Sequence, residues 1–160
     1  MKAIISINKP HTDNIFDRIK TVEWRTKPLP LCKHFVYETK NKGGCGMVIG
    51  EMEITKNISF CVFHLDILPE AKEFIKRGCI PLEYLIEYAK NKAFLYANVI
   101  ENAKRYDKPK KLSEFHHFCT YPNNTCEDCA IQKLKPHCHY GEGLTRPPQS
   151  WQYIEENKDE

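Results

Sequence analysis

The sequence predicts an α+β fold: a small mixed or antiparallel β-barrel with short helices and one cysteine-rich, metal-binding insertion. Three observations carry this expectation. Lys20-Thr21-Val22-Glu23-Trp24-Arg25 alternates cleanly, with Val22 and Trp24 on one face of a strand and Glu23 and Arg25 on the other. Six strand-like stretches are separated by short helical patterns, which suits a small mixed or antiparallel barrel. Cys119, Cys126, Cys129 and Cys138 crowd into one short stretch near the C-terminus. At 160 residues the chain is one domain, residues 1–160, with 116–140 as the insertion.

Taken in order, residues 2–8 read as a strand ending before Pro10. Thr12 or Asp13 is placed to cap a short helix whose apolar stripe is Ile15, Phe16 and Ile19. A strand over 22–26 follows, and Lys27-Pro28-Leu29-Pro30 breaks it. Residues 34–39 form the third strand. The stretch Asn41-Lys42-Gly43-Gly44-Cys45-Gly46 lacks the Gly-Lys-Ser/Thr ending of a phosphate loop and precedes a strand, so it reads as a hairpin turn. Residues 47–54 are apolar on both faces, as a central strand should be. A strand over 58–63 and a helix over 69–77, closed by Gly78, come next. Pro81 opens a helix with Leu82, Leu85, Ile86 and Ala89 on one stripe, and 93–101 alternates as a further strand.

A formal net charge of +3 is too small to announce a nucleic-acid binder, but its distribution is uneven. Residues 1–50 hold nine Lys/Arg against four acids, and 102–111 holds five against Asp107 alone. Local positive surface is what attracts phosphate. No apolar run approaches the ~20 residues that span a bilayer, and the N-terminus shows no signal-peptide pattern. The expected location is cytoplasmic, without a membrane partner, and there the cysteines are thiols or metal ligands. Cys32, Cys45, Cys61 and Cys79 are assigned as structural thiols.

On the open face of the second strand, Glu23 is a base or acceptor beside the charged fork of Arg25, with Lys20 at the strand mouth. An ordinary solvated ion pair gives the same spacing. The strand Ile5-Ser6-Ile7-Asn8-Lys9-Pro10, a short helix, then Lys20-Thr21-Val22-Glu23-Trp24-Arg25 resembles the ASCH family, a branch of the PUA-like β-barrels. Gly46–Ile54 is similar to that family's glycine-bearing central strand, and Arg146–Tyr153 resembles the closing strand of phage and prophage members. The resemblance covers roughly residues 1 to 54 and 81 to 154, and the cysteine segment is extra to it. It implies a cleft lined by the Lys20–Arg25 strand and a role in binding RNA or a modified nucleoside. An enzymatic branch that removes an acetyl group from a cytosine amine carries Lys-Thr-x-Thr-x-Arg. Lys20 and Arg25 match it, but Glu23 stands where that branch has its threonine nucleophile, and a carboxylate does not replace a hydroxyl in ordinary acyl transfer.

Three functional readings follow. The first is a nucleic-acid-binding module without catalysis, with Lys9, Lys20, Glu23, Arg25, Lys104 and Arg105 as ligand-binding residues, Lys27 beside them, and Trp24 or Tyr106 for stacking. Trp24, alternating with Val22, equally reads as core. The second is a small hydrolase or ribonuclease with Lys20, Glu23 and Arg25 as catalytic residues and Glu23 as base. The third is a phage-encoded modulator whose partner is a protein and whose contact surface is the cysteine segment.

Cys119, Cys126, Cys129 and Cys138 are spaced C-x6-C-x2-C-x8-C, with His116, His117, His137 and His139 around them. A Cys-x-x-Cys pair converges two thiolates on one ion, and a second pair completes a tetrahedron. Structural zinc is the leading expectation. An iron–sulfur cluster on the same thiolates and unliganded thiols are the alternatives, and a histidine can replace one cysteine. One zinc per chain should be found by elemental analysis of protein purified without chelator. Chelation should unfold this segment and leave the β-sheet folded, and protein without stoichiometric metal would end the idea.

Overall fold

The computed structural model describes residues 1–119 and 142–156, and of Glu156 the backbone only. Seven strands form one mixed sheet: β1 (Lys2–Ile7), β2 (Val22–Arg25), β3 (Lys33–Glu38), β4 (Met47–Cys61), β5 (Phe94–Lys110), β6 (Phe115–His117) and β7 (Trp151–Glu156). Their order is β2-β5-β4-β3-β1-β7-β6. Only β1 and β3 run parallel; every other neighbouring pair is antiparallel. Three helices, α1 (His11–Phe16), α2 (Pro69–Gly78) and α3 (Leu82–Ala89), complete the described elements.

The hydrogen-bonded sheet is open, and this corrects the expected barrel: β2 and β6 stand at opposite ends of the order. The sheet is nevertheless strongly curled. Arg25 on terminal strand β2 reaches the Ser6 carbonyl of β1, four strands away in that order, at 3.0 Å. A side chain spans the gap between β2 and β1.

Two predicted strands, 47–54 and 58–63, are one long strand β4, and the predicted 93–101 runs on to Lys110 as β5. The polar run Thr55-Lys56-Asn57 hid the continuity of β4, and β5 beyond Glu101 is largely exposed, so no apolar alternation marks it. Its register shifts at three points. Gly50 lies beside one of them. A Cβ there would come within 2.5 Å of the Phe16 ring, so the strand passes under α1 only as glycine.

The core has three parts. Val22, Trp24, Phe60, Leu85 and Leu95 join Phe74 where α2 and α3 pack on the sheet. Ile5, Ile15, Val36, Met52 and Ile100 fill the concave side beneath α1. Ile4, Phe35, Val48, Phe115 and Leu144 fill the other. Adjacent Ile4 and Ile5 therefore serve opposite faces, as period two requires. The predicted helical stripes are only half right. Ile15 and Leu85 are buried, whereas Ile19 is 61% and Ile86 47% exposed. Thr12 does not cap α1; Pro10 occupies that position, and the Thr12 hydroxyl donates to Glu38 Oε1 at 2.6 Å.

The predicted insertion begins inside the sheet, since His116 and His117 belong to β6 and pair with β7. Beyond it, the His117 amide donates to the Glu142 carbonyl and the Leu144 amide to that of Phe115. The chain thus leaves and re-enters the sheet at adjacent points. Cys119 is half-buried at the edge of the described stretch; Cys126, Cys129 and Cys138 lie outside the described residues. Among the described residues no cluster of His, Cys, Asp or Glu is grouped to hold a metal. No described helix is long and apolar enough to cross a membrane.

His34 on β3 is fully buried, and burial lowers its pKa to about 4 against the contrary pull of a contact with the Cys32 carbonyl. The folded state holds the imidazole neutral, so its contribution is intact above pH 6.5 and is lost as pH falls towards 4. Stability should fall over that window by about 3 kcal/mol from this group. Denaturant melts of His34→Gln should show a shallower pH slope between 6.5 and 4.5; an unchanged slope would assign the proton uptake elsewhere.

Candidate functional site

The candidate site grows from the alternation in β2. Val22 and Trp24 turn into the core between the sheet and the helices α2 and α3, and the Trp24 Nε1–H donates to the Phe74 carbonyl at 3.3 Å. Gly78, the last residue of α2, lies so close that a Cβ would come within 2.6 Å of the Trp24 ring. That contact brings the Gly78 carbonyl to Lys20, whose Nζ donates to it at 2.6 Å. Lys20 is therefore buried, not at an open strand mouth as expected.

Glu23 is buried as well, at 8% exposure, where an open strand face was expected. Its Oε2 lies 3.2 Å from Lys20 Nζ, and its Oε1 accepts from Arg25 Nε at 2.9 Å. Arg25 also donates from Nη1 to Ser150 Oγ at 3.3 Å and from Nη2 to the Ser6 carbonyl. The three residues form one buried cluster with a net charge of +1. Burial alone would raise the Glu23 pKa, but Lys20 and Arg25 outweigh it and hold the carboxyl below its ordinary range. A carboxylate so held is a weak base with both oxygens engaged. Asn98 of β5 fixes the strand from behind, donating from Nδ2 to the Glu23 carbonyl at 2.8 Å and accepting the Leu29 amide at 2.9 Å.

Glu23 and Arg25 line a cleft of about 540 Å³, a size usual for small-molecule sites. Ser6 and Asn8 at the end of β1, His11 of α1, and Thr39 and Lys42 after β3 supply polar lining. Tyr84 and Tyr88, one turn apart on α3, supply aromatic lining, and Gln149 comes from the loop before β7. The cleft thus joins a charged floor to aromatic side chains. His11 is pushed below the ordinary imidazole range by burial and then by Lys20, so it is neutral near pH 7.

The other sequence candidates lie apart. Lys9 is next to the cleft residue Asn8, but its ammonium faces Asp13 at 3.7 Å. Arg105 pairs with the same Asp13 at 2.7 Å and stacks on Phe16. Neither they, Lys20, Lys27 nor Lys104 line the cleft. Trp24 is core, as its alternation with Val22 allowed, although an edge of it lines the cleft, and the Tyr106 hydroxyl donates to Glu51. His11, Lys42, Tyr84 and Tyr88 escaped the sequence reading. The i,i+4 spacing of the two tyrosines was the only local signal for any of them.

The cluster predicts asymmetric costs. Glu23→Gln leaves two cations facing each other, one of them buried, and should cost about 3–5 kcal/mol in urea denaturation. Adding Lys20→Met should restore part of that loss, because it removes the uncompensated charge. Strictly additive losses would mean the cluster is not coupled.

No family model matches the sequence, and no curated protein sequence does. Solved structures do share its shape. An ASCH protein from Zymomonas mobilis superposes with a TM-score of 0.65 at 17% identity, over 96% of this chain and 87% of that one. A tyrosine-to-phenylalanine variant of the Zymomonas mobilis protein gives a TM-score of 0.64 at 16% identity, over 96% and 90%. A serine-to-alanine variant gives 0.66 at 16%, over 96% and 88%. With its curled seven-stranded sheet and the cleft at the β1–β2 gap, the chain has the fold of the ASCH proteins.

Proposed function

We propose that this chain is an ASCH-family, RNA-binding module that takes one nucleobase or modified nucleoside into the cleft at β2. The observation that carries the reading is the joint lining of that cleft: Tyr84 and Tyr88 offer ring faces, while Glu23, Arg25, Asn8 and Gln149 offer hydrogen-bonding edges. A flat, polar-edged heterocycle needs both. Binding is favoured over hydrolysis because Glu23, the one carboxylate lining the cleft, is engaged by Lys20 and Arg25 and depressed in basicity. Arg25 spends most of its donors on Glu23, Ser6 and Ser150, so its part is to shape the cleft and present charge.

Lys9 and Arg105 lie beside α1 and not in the cleft, a place suited to flanking phosphates, and Lys104 acts on Glu51, also outside the cleft. For the cysteine segment we retain structural zinc on Cys119, Cys126, Cys129 and Cys138, a reading supported by their spacing.

Fluorescence anisotropy with short single-stranded oligoribonucleotides tests the function. Affinity should fall steeply with salt, and Tyr84→Ala should cost about 1–3 kcal/mol of binding. Tyr84 is 56% exposed, so the melting temperature should hardly move. Absence of RNA and nucleoside binding would leave a protein-contact role as the better account.

A further inference from the structure

We propose that the end of the cleft where Asn8, His11 and Lys42 meet is an anion subsite, holding a phosphate of the bound nucleotide. This rests on the nucleoside reading of the cleft and names a second chemical group that its ligand must carry.

The argument is a balance of donors against acceptors. At the β2 floor the polar groups satisfy one another, since both Glu23 oxygens are engaged and Arg25 is tied to three partners. Around His11, donors are left over. The Thr39 hydroxyl donates to Asn8 Oδ1, which pins the carboxamide and leaves Asn8 Nδ2 without a partner among the described residues. His11 Nδ1 is buried and has no hydrogen-bond partner. Native proteins rarely bury such an atom unless something else completes it. Lys42 stands on the β3–β4 turn in a left-handed conformation, φ 54°, and its ammonium has no partner among the described residues.

Among the described residues, the carboxylates on the two flanking elements are both engaged elsewhere. Glu38, the nearest carboxylate along β3, is taken by the Thr12 hydroxyl and the Cys45 amide. Asp13, on α1, is shared by Lys9 and Arg105. Around His11 the charges of Lys20, Arg25 and Lys42 outnumber Glu23. A ligand group for this position must bring several acceptor oxygens and negative charge in a small volume. Phosphate does both, whereas a neutral base edge would leave Lys42 unanswered. A neutral His11 with its proton on Nδ1 donates to one oxygen, Asn8 to a second, and Lys42 supplies the charge.

Isothermal titration on the full chain compares the four common ribonucleosides, their 3′- and 5′-monophosphates and a six-nucleotide oligoribonucleotide. A phosphorylated ligand should bind about tenfold or more tighter than its nucleoside. A gain already present in a monophosphate identifies a terminal phosphate, and one seen only in the oligomer identifies a bridging phosphodiester; either supports the subsite. In Lys42→Asn, which keeps a residue tolerant of the left-handed turn, and in His11→Ala the ratio should fall towards one. Should His11→Ala fail to fold, Lys42→Asn carries this arm alone. Separately, inorganic phosphate should shift the His11 ring resonances in NMR spectra, and Lys42→Asn should weaken that shift. Nucleosides binding as tightly as their phosphates would overturn the subsite and leave the nucleoside reading standing. A phosphate-induced shift without any nucleoside or nucleotide binding would do the reverse. No response to any probe would overturn both.

Discussion

The structure depends on the buried ion cluster of Lys20, Glu23 and Arg25. Two cations and one carboxylate removed from water are expensive, and mutual attraction repays the cost only when the remaining donors are also satisfied. Here they are. Lys20 ends on the Gly78 carbonyl of α2, and Arg25 ends on β1 and on the loop before β7. One cluster therefore ties together a helix, the terminal strand of the sheet, and an interior strand four places away in the strand order.

That arrangement explains why the sheet can stay open and still enclose a cleft. A ladder between β2 and β1 would bring their backbones to roughly 4.8 Å and fill the space. A guanidinium brace holds them in relation through side-chain atoms and leaves room beside it. The cleft is lined from that gap, by Ser6, Asn8, Glu23 and Arg25, and α3 adds Tyr84 and Tyr88. The feature that departs from a closed barrel is the one that makes a binding site possible.

The polar groups of the cleft divide into two kinds. Those on β2 are engaged with one another and serve rigidity, which lowers the cost of ordering a ligand on them. Those around His11 are unsatisfied within the protein and carry the unspent capacity for recognition. Charge alone does not sort them, since Lys20 and Lys42 are both lysines near the same cleft. Burial and partners do: Lys20 is 1% exposed with two partners, and Lys42 is exposed on a turn.

Period-two alternation was enough to tell from the sequence that Val22 and Trp24 share the core face and that Glu23 and Arg25 share the other. The same logic marked β1, the β3–β4 hairpin and α3, because burial of one face is a local, repeating demand on residue type. Alternation says nothing about what lies over the second face. It suggested an exposed pair, whereas Lys20, held by Gly78 of α2 from 58 residues away, backs Glu23, and Ser6 of β1 holds Arg25 from 19 residues away. The link through Thr55-Lys56-Asn57 that makes β4 one strand, and the run of β5 beyond Glu101, were likewise invisible, since a paired strand satisfies its backbone without needing apolar side chains. Asn8, His11 and Lys42 each look ordinary in the chain. Their significance comes from the hydrogen bonds they lack, and a missing partner is a property of three-dimensional surroundings that no local pattern encodes.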